Sequence, residues 1–276
     1  MHRITMLAVV ALATLTVPTC DDSSTDIDDS PQLQYGVPVN VGNGQARAYV
    51  LLDTNNGDAP LEIGIALSEE ALDGLPAPGA HPEHMDSYSY TLPLPQQMPS
   101  PYEVVELNWN AGGHPPPHVY DQPHFDFHFY TISLAERNAI QPSDPAFAAK
   151  AAQMPSADFV PPGYAVLPPP PAPVEAVPMM GVHWIDVTAP EIQPADSPDH
   201  RAFTRTFIYG SWDGQFTFVE PMVTRAYLLS GPDERIPIST PASYESPGYY
   251  PGAYHVKYDA QAKEYRVALA DLTLHQ

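Results

Sequence analysis

The segment His124–Ser133 (HFDFHFYTIS) sets phenylalanines at 125, 127 and 129 between His124, Asp126, His128 and Tyr130. Period two is the period of a β-strand, whose successive side chains point to opposite faces. One face is then an aromatic ridge fit for a core. The other carries two imidazoles, a carboxylate and a phenol. A helix would put His124 and His128 on one face but would scatter the phenylalanines, so a strand is expected. Strand signals recur on either side, in Ala46–Asp53, Leu61–Leu67, Tyr102–Asn110, Gly181–Val187, Phe203–Tyr209, Gln215–Val219 and Val223–Leu229. Asp213–Gly214 supplies a hairpin turn signal, and Tyr254–Tyr258 with Tyr265–Ala270 forms a last hairpin around 259–263. The 35 prolines act against long helices, because an interior proline costs a helix about 3 kcal/mol. Short helices are expected at Ser68–Leu75, with Ser68 as N-cap, at Ser133–Ile140 and at Pro145–Met154. Residues 76–87 read as loop, and the proline run inside 161–178 as a stiff spacer. No internal repeat emerges. The fold class expected is mainly β: a single antiparallel β barrel or sandwich with short helical insertions.

The chain begins MHRITMLAVVALATLTVPTC. A short basic start precedes an apolar run from Ile4 to Val17, long enough for a signal-peptide core and short of the roughly 20 residues that span a bilayer. Cys20 follows and is the sole cysteine. Val17–Pro18–Thr19–Cys20 resembles the bacterial lipoprotein signal, which implies cleavage before Cys20 and lipidation of its sulfur. Its departures are Val17, where that signal favours leucine, and Thr19, where it favours a smaller residue. The expected organisation is a signal peptide over 1–19, a flexible acidic tether over 20–34 and one β-rich domain over 35–276. The expected location is a membrane-anchored site in the bacterial cell envelope, reached through the lipid on Cys20. The protein is secreted or periplasmic if Cys20 stays unmodified. One cysteine excludes an intrachain disulfide, so packing must hold the domain.

Formal net charge is −22, from 33 acidic and 11 basic residues. Such a chain repels phosphate backbones, so nucleic acid is not an expected partner. The same charge favours cations.

The polar face of the alternating strand is the candidate site. Imidazole with carboxylate suits a divalent transition metal, zinc being the named example. Strand spacing limits which residues share an ion. Residues two apart lie about 6.8 Å apart and residues four apart about 13 Å. His124 with Asp126, or Asp126 with His128, can share one; His124 with His128 needs a bulge or strong twist. Further ligands must come from elsewhere in the chain. His114 stands in the Gly/Pro loop before the strand, His183 in the apolar strand GVHWIDV, and Glu220 at the end of FTFVE. An acid and an imidazole in apolar strands need a buried partner. The candidate ligands are thus His114, His124, Asp126, His128, His183 and Glu220, with Tyr130 supporting them by a hydrogen bond. Three readings of these residues stay open: a metal centre, a metal-free polar pocket, and a hydrogen-bond network that organises the core. His118 is expected to be a solvated loop residue.

The stretches GGHPPPHVYDQPHFDFHFY, MGVHWID (180–186) and FIYGSWDGQFTFVEPMVTRAYL (207–228) resemble a family of uncharacterised bacterial exported domains. That family is associated with sigma-E-regulated proteins of a thermophile. The likeness runs from about Gly44 to Leu229. It implies a shared fold and no activity.

Two functional readings lead, and a third follows. The first is a binding lipoprotein that holds a metal or small ligand in the envelope. The second is a metal-dependent envelope enzyme of hydrolase or lyase type, with His114 or Asp126 as base and Tyr130 as donor. The third is a structural or assembly module. Substrate, reaction and oligomeric state are not specified by these residues.

Overall fold

The computed structural model describes residues 30–79, 87–168 and 173–276. The signal segment, Cys20 and the start of the acidic tether lie outside the described residues. In chain order the first strands are β1 (Gln32–Tyr35), β2 (Val39–Val41), β3 (Gly44–Asp53), β4 (Ala59–Ser68), β5 (Ser87–Leu92), β6 (Val104–Asn110), β7 (His124–Tyr130) and β8 (Tyr164–Ala165). They continue as β9 (Val182–Asp186), β10 (Arg205–Trp212), β11 (Gln215–Thr224), β12 (Asp233–Pro237), β13 (Gly248–Tyr250), β14 (Ala253–Asp259), β15 (Glu264–Ala270) and β16 (Thr273–His275). The short helices are α1 (Leu134–Ala139), α2 (Phe147–Ala151) and α3 (Arg225–Leu229).

Two seven-stranded antiparallel sheets form a sandwich-like mainly β fold. One runs β1-β3-β4-β15-β14-β12, with β2 also on β3; the other runs β5-β6-β7-β11-β10-β9-β8. Both are open sheets, so the sandwich holds and the barrel alternative does not. A small pair, β13-β16, stands apart.

The core lies between the two sheets. Val50, Ile63, Ile65, Val267 and Leu269 of the first meet Val105, Leu107, Phe125, Phe127, Phe129 and Val219 of the second. Each fully buried phenylalanine contributes about 1.5–3 kcal/mol of transfer free energy. Edge and tilted ring contacts tie the ridge to β6, as in Trp109–Phe125 at 4.7 Å. The phenylalanine face therefore looks inward, as alternation predicts.

Three local expectations are corrected. Residues 32–34, read as tether, instead pair as β1 with Val50–Leu52 of β3. Leu33 and Tyr35 pack beside Tyr49, and the acidic stretch ahead of them masks that anchor. Ser68 does not cap a helix. Its Oγ accepts from the Gln45 amide of β3, and the following turn is an uncapped 3₁₀ segment, Glu69–Leu72. Val223–Leu229 is not one strand. Thr224 ends β11, and its side chain accepts from the Tyr227 amide to start α3. An apolar run this short cannot be assigned to helix or strand from pattern alone. The expected helix at Ser133–Ile140 is α1, with a full Ser133/Glu136 capping box.

Candidate metal centre

Both faces of β6 and β7 are buried throughout. The inner face is the aromatic core. The outer face is polar, and other segments cover it. In register, Asn110 stands beside His124, Asn108 beside Asp126 and Glu106 beside His128. On the other side β11 sets Thr224 beside His124 and Met222 beside Asp126. Two apolar patches flank this polar row. Tyr120, Phe203, Ile185, Ile208 and Met222 form one; Val104, Tyr130 and Phe218 form the other. A face so covered must pair its polar groups with one another or with a ligand.

The six candidate ligands converge on this covered face, but as two groups. His114, His124 and Asp126 form one triad; His128, His183 and Glu220 form the other. Within each, the potential ligand atoms lie within 4.8 Å of one another.

The first triad is built by β7 and the loop before it. His114 reaches in from that loop, which folds back through the His114 amide bonded to the Tyr120 carbonyl at 3.1 Å. Gly113 enters it at φ +76, and a Cβ there would overlap the Tyr120 carbonyl oxygen. The Nδ1 atoms of both histidines meet main-chain carbonyls: His114 the Pro115 oxygen at 2.8 Å, His124 the Gln122 oxygen at 2.6 Å. A carbonyl only accepts, so both Nδ1 atoms must carry the proton. Both Nε2 atoms then face Asp126, at 3.6 Å (His114 to Oδ2) and 3.1 Å (His124 to Oδ1). Asn110 Nδ2 donates to Asp126 Oδ2 at 2.6 Å and stands 3.3 Å from His124 Nε2. Asp126 Oδ1 is buried without a hydrogen-bond partner. Two lone pairs aimed at a carboxylate require a cation, either a proton or a metal.

Without a metal, protons answer that demand. Burial alone would raise the Asp126 carboxyl, but the His124 charge and hydrogen bonding from both histidines hold it well below the usual carboxylate range. Burial opposes a charge on His114, yet Asp126 and the Pro115 carbonyl raise its pKa above the ordinary imidazole value.

The second triad gathers three strands. Pairing of β11 with β7 covers Phe218, Val219 and Met222–Thr224 and skips Glu220 and Pro221. Proline has no amide hydrogen to give a central strand, so the ladder opens there. On either side of the gap the register places Glu220 beside His128. His183 lies one strand further out, across Gly210 of β10, which itself stands opposite Phe218. A Cβ on Gly210 would overlap the Phe218 ring, so glycine leaves room for that ring, on which His183 packs at 5.4 Å. His128 Nε2 is 3.4 Å and His183 Nε2 3.6 Å from Glu220 Oε2. Burial pushes His128 down to about 3 and His183 to about 4. Burial, aided by the Asp126 charge, pushes the Glu220 carboxyl well above its usual value.

Tyr130 departs from its expected role. Its buried hydroxyl has no hydrogen-bond partner. The ring instead stacks on His128 at 5.4 Å and 10°, and the Arg137 guanidinium lies over it at 5.3 Å. Arg137 in turn pairs with buried Glu106. His118 is solvated beside Asp121, as expected. Asn110, Gly210 and the Glu106–Arg137 pair are additional residues of the centre. The alternation Glu106, Asn108, Asn110 against Val105, Leu107, Trp109 already marks the polar face of β6 in the sequence. Gly210 carries no such mark.

The fold and site define a β-sandwich whose second sheet holds two His–His–carboxylate triads on its covered outer face. Residues 56–109 match a family described as TTHB210-like, hypothetical protein TTHB210, which is an uncharacterised domain family. The matched span runs through β4 and β5 to β6 and ends before the first candidate ligand, His114. No curated protein and no solved structure matches the chain.

Proposed function

We propose that this protein binds a divalent transition metal such as zinc in the cell envelope, with His114, His124 and Asp126 as the ligands of a solvent-reachable seat. One observation carries the reading. Both imidazoles commit Nδ1 to main-chain carbonyls, which aims two Nε2 lone pairs at one carboxylate. A hydrogen bond of that kind is the usual outer support of a metal-bound histidine. Two nitrogens with one oxygen suit zinc and its neighbours in the first row and suit calcium or magnesium poorly. The sequence supports the envelope location through the apolar run Ile4–Val17 ahead of Cys20, and lipid on that sulfur would anchor the domain. Metabolic labelling with a fatty-acid analogue tests this: Cys20→Ser should abolish the label, and a labelled variant rules the anchor out.

The metal test uses the mature chain, stripped with chelator and titrated with zinc by calorimetry and metal analysis. His124→Ala is expected to lose one ion per chain with its circular dichroism unchanged. Uptake equal to the wild type would refute the seat. Metal-dependent hydrolysis is the second reading, favoured by the 23 % exposure of the His114 side chain, which puts solvent beside a three-ligand site. It requires turnover of an activated ester that chelator abolishes and zinc restores.

A further inference from the structure

Glu220 is the harder residue to account for. It is 1 % exposed, sits in a central strand, and has no lysine or arginine paired with it among the described residues. Its Oε2, and both ring nitrogens of His128, are closed to water and lack any hydrogen-bond partner. Native proteins rarely leave three buried polar atoms of one cluster unpaired.

We infer that His128, His183 and Glu220 form a second, separate seat for a divalent transition cation, enclosed within the sheet's outer face. The spacing suits an ion. Glu220 Oε2 is 3.4 and 3.6 Å from the two Nε2 atoms, and the third separation is no more than 4.8 Å. A point equidistant from three such atoms lies about 2.0–2.4 Å from each, which is the bond length of zinc to nitrogen and oxygen. The chemistry also fits. Two imidazoles and one carboxylate carry a single negative charge, and a divalent ion reverses it while satisfying all three atoms. The imidazole pair again selects zinc, copper, nickel or cobalt over calcium and magnesium.

The surroundings hold the ligands in place. Phe218 packs against both imidazoles, at 5.1 Å from His128 and 5.4 Å from His183, and Tyr130 stacks on His128 and touches Phe218 at 5.2 Å. Aromatic contacts hold the His128 ring, and the Gly181 main chain also bonds the His183 ring. The side chain of His183 is 25 % exposed, against 0 % and 1 % for its partners, so the ion enters from the His183 side.

This seat rests on different atoms from the first, so each can fail alone. The stripped mature chain is loaded with zinc, dialysed and counted for metal. Two ions per chain are expected in the wild type, one in Glu220→Gln and one in His124→Ala. If Glu220→Gln binds as much as the wild type, the second seat is overturned. If the wild type binds one ion and His124→Ala none, the second seat is overturned and the first stands. If His124→Ala equals the wild type while Glu220→Gln loses its ion, the first falls and the second stands. Should Glu220→Gln fail to fold, nitrogen-15 spectra of the wild-type imidazoles decide. The Nε2 signals of His128 and His183 should shift on zinc addition, and unmoved signals refute the seat.

Discussion

The two triads have the same composition and opposite electrostatics. Around Asp126 the main chain fixes both tautomers, Asn110 donates to the carboxylate, and burial is outweighed by attraction between opposite charges. Around Glu220 nothing donates, the imidazoles are driven down and the carboxyl up, and burial wins. The difference follows from position. The first triad sits where a loop brings carbonyls, and the end of β6 an amide side chain, to the start of β7. The second sits in mid-sheet, on β7, β11 and β9, where pairing of β11 with β7 is interrupted only at Glu220 and Pro221. The same three kinds of side chain thus attract protons in one place and repel charge in the other.

The comparison breaks most sharply on charge removal without metal. In chelator, Asp126→Asn should cost about 3 kcal/mol, since it strips one member of a buried charged group. Glu220→Gln should be neutral or stabilising, because it removes a carboxyl whose burial is uncompensated. Urea unfolding of both variants measures this, and equal losses would erase the distinction. The pH dependence has a defined sign. Asp126, lowered in the fold, contributes stability that is present above the unfolded carboxylate pKa of about 3.9 and lost as pH falls through its folded value. His114, raised in the fold, contributes stability that is present below about 6.5 and lost as pH rises through its folded value. The wild-type advantage over Asp126→Asn should therefore peak between about pH 4 and 6.5.

Gly210→Ala comes next. Forcing a methyl into the Phe218 ring should cost about 1–3 kcal/mol by overpacking. It should also weaken zinc binding at the Glu220 seat while sparing the Asp126 seat. A calorimetric titration that loses the other ion instead would reverse the assignment. Asn110→Ala should act in mirror image, lowering affinity at the Asp126 seat by about 10–100-fold and leaving the Glu220 seat unchanged. The smallest effect belongs to Tyr130→Phe. Its hydroxyl has no partner to lose, so unfolding should shift by less than about 0.5 kcal/mol and metal content should stay the same. A clear loss of metal would restore a hydrogen-bonding role for that hydroxyl.

Much of this was legible in the residues alone. Alternation in HFDFHFY determined a strand with one aromatic and one polar face, because side-chain period two is a property of extended backbone and needs no partner. The scattered prolines and the turn signals determined a mostly antiparallel β architecture. The expense of burying an acid or an imidazole in an apolar strand marked His183 and Glu220. What only the tertiary structure decided is the grouping. Strand spacing separates His124 from His128 and leaves Asp126 free to join either, and local geometry cannot choose between them. The choice depends on which neighbour each residue meets across the sheet. Cross-strand register placed Glu220 beside His128, and Gly210 made room for the Phe218 ring against which His183 packs. The fold of a loop, set by contacts far along the chain, delivered His114 to Asp126. Pairing between distant segments is set by the packing of the whole sandwich, so six candidate ligands in one sequence became two triads only in three dimensions.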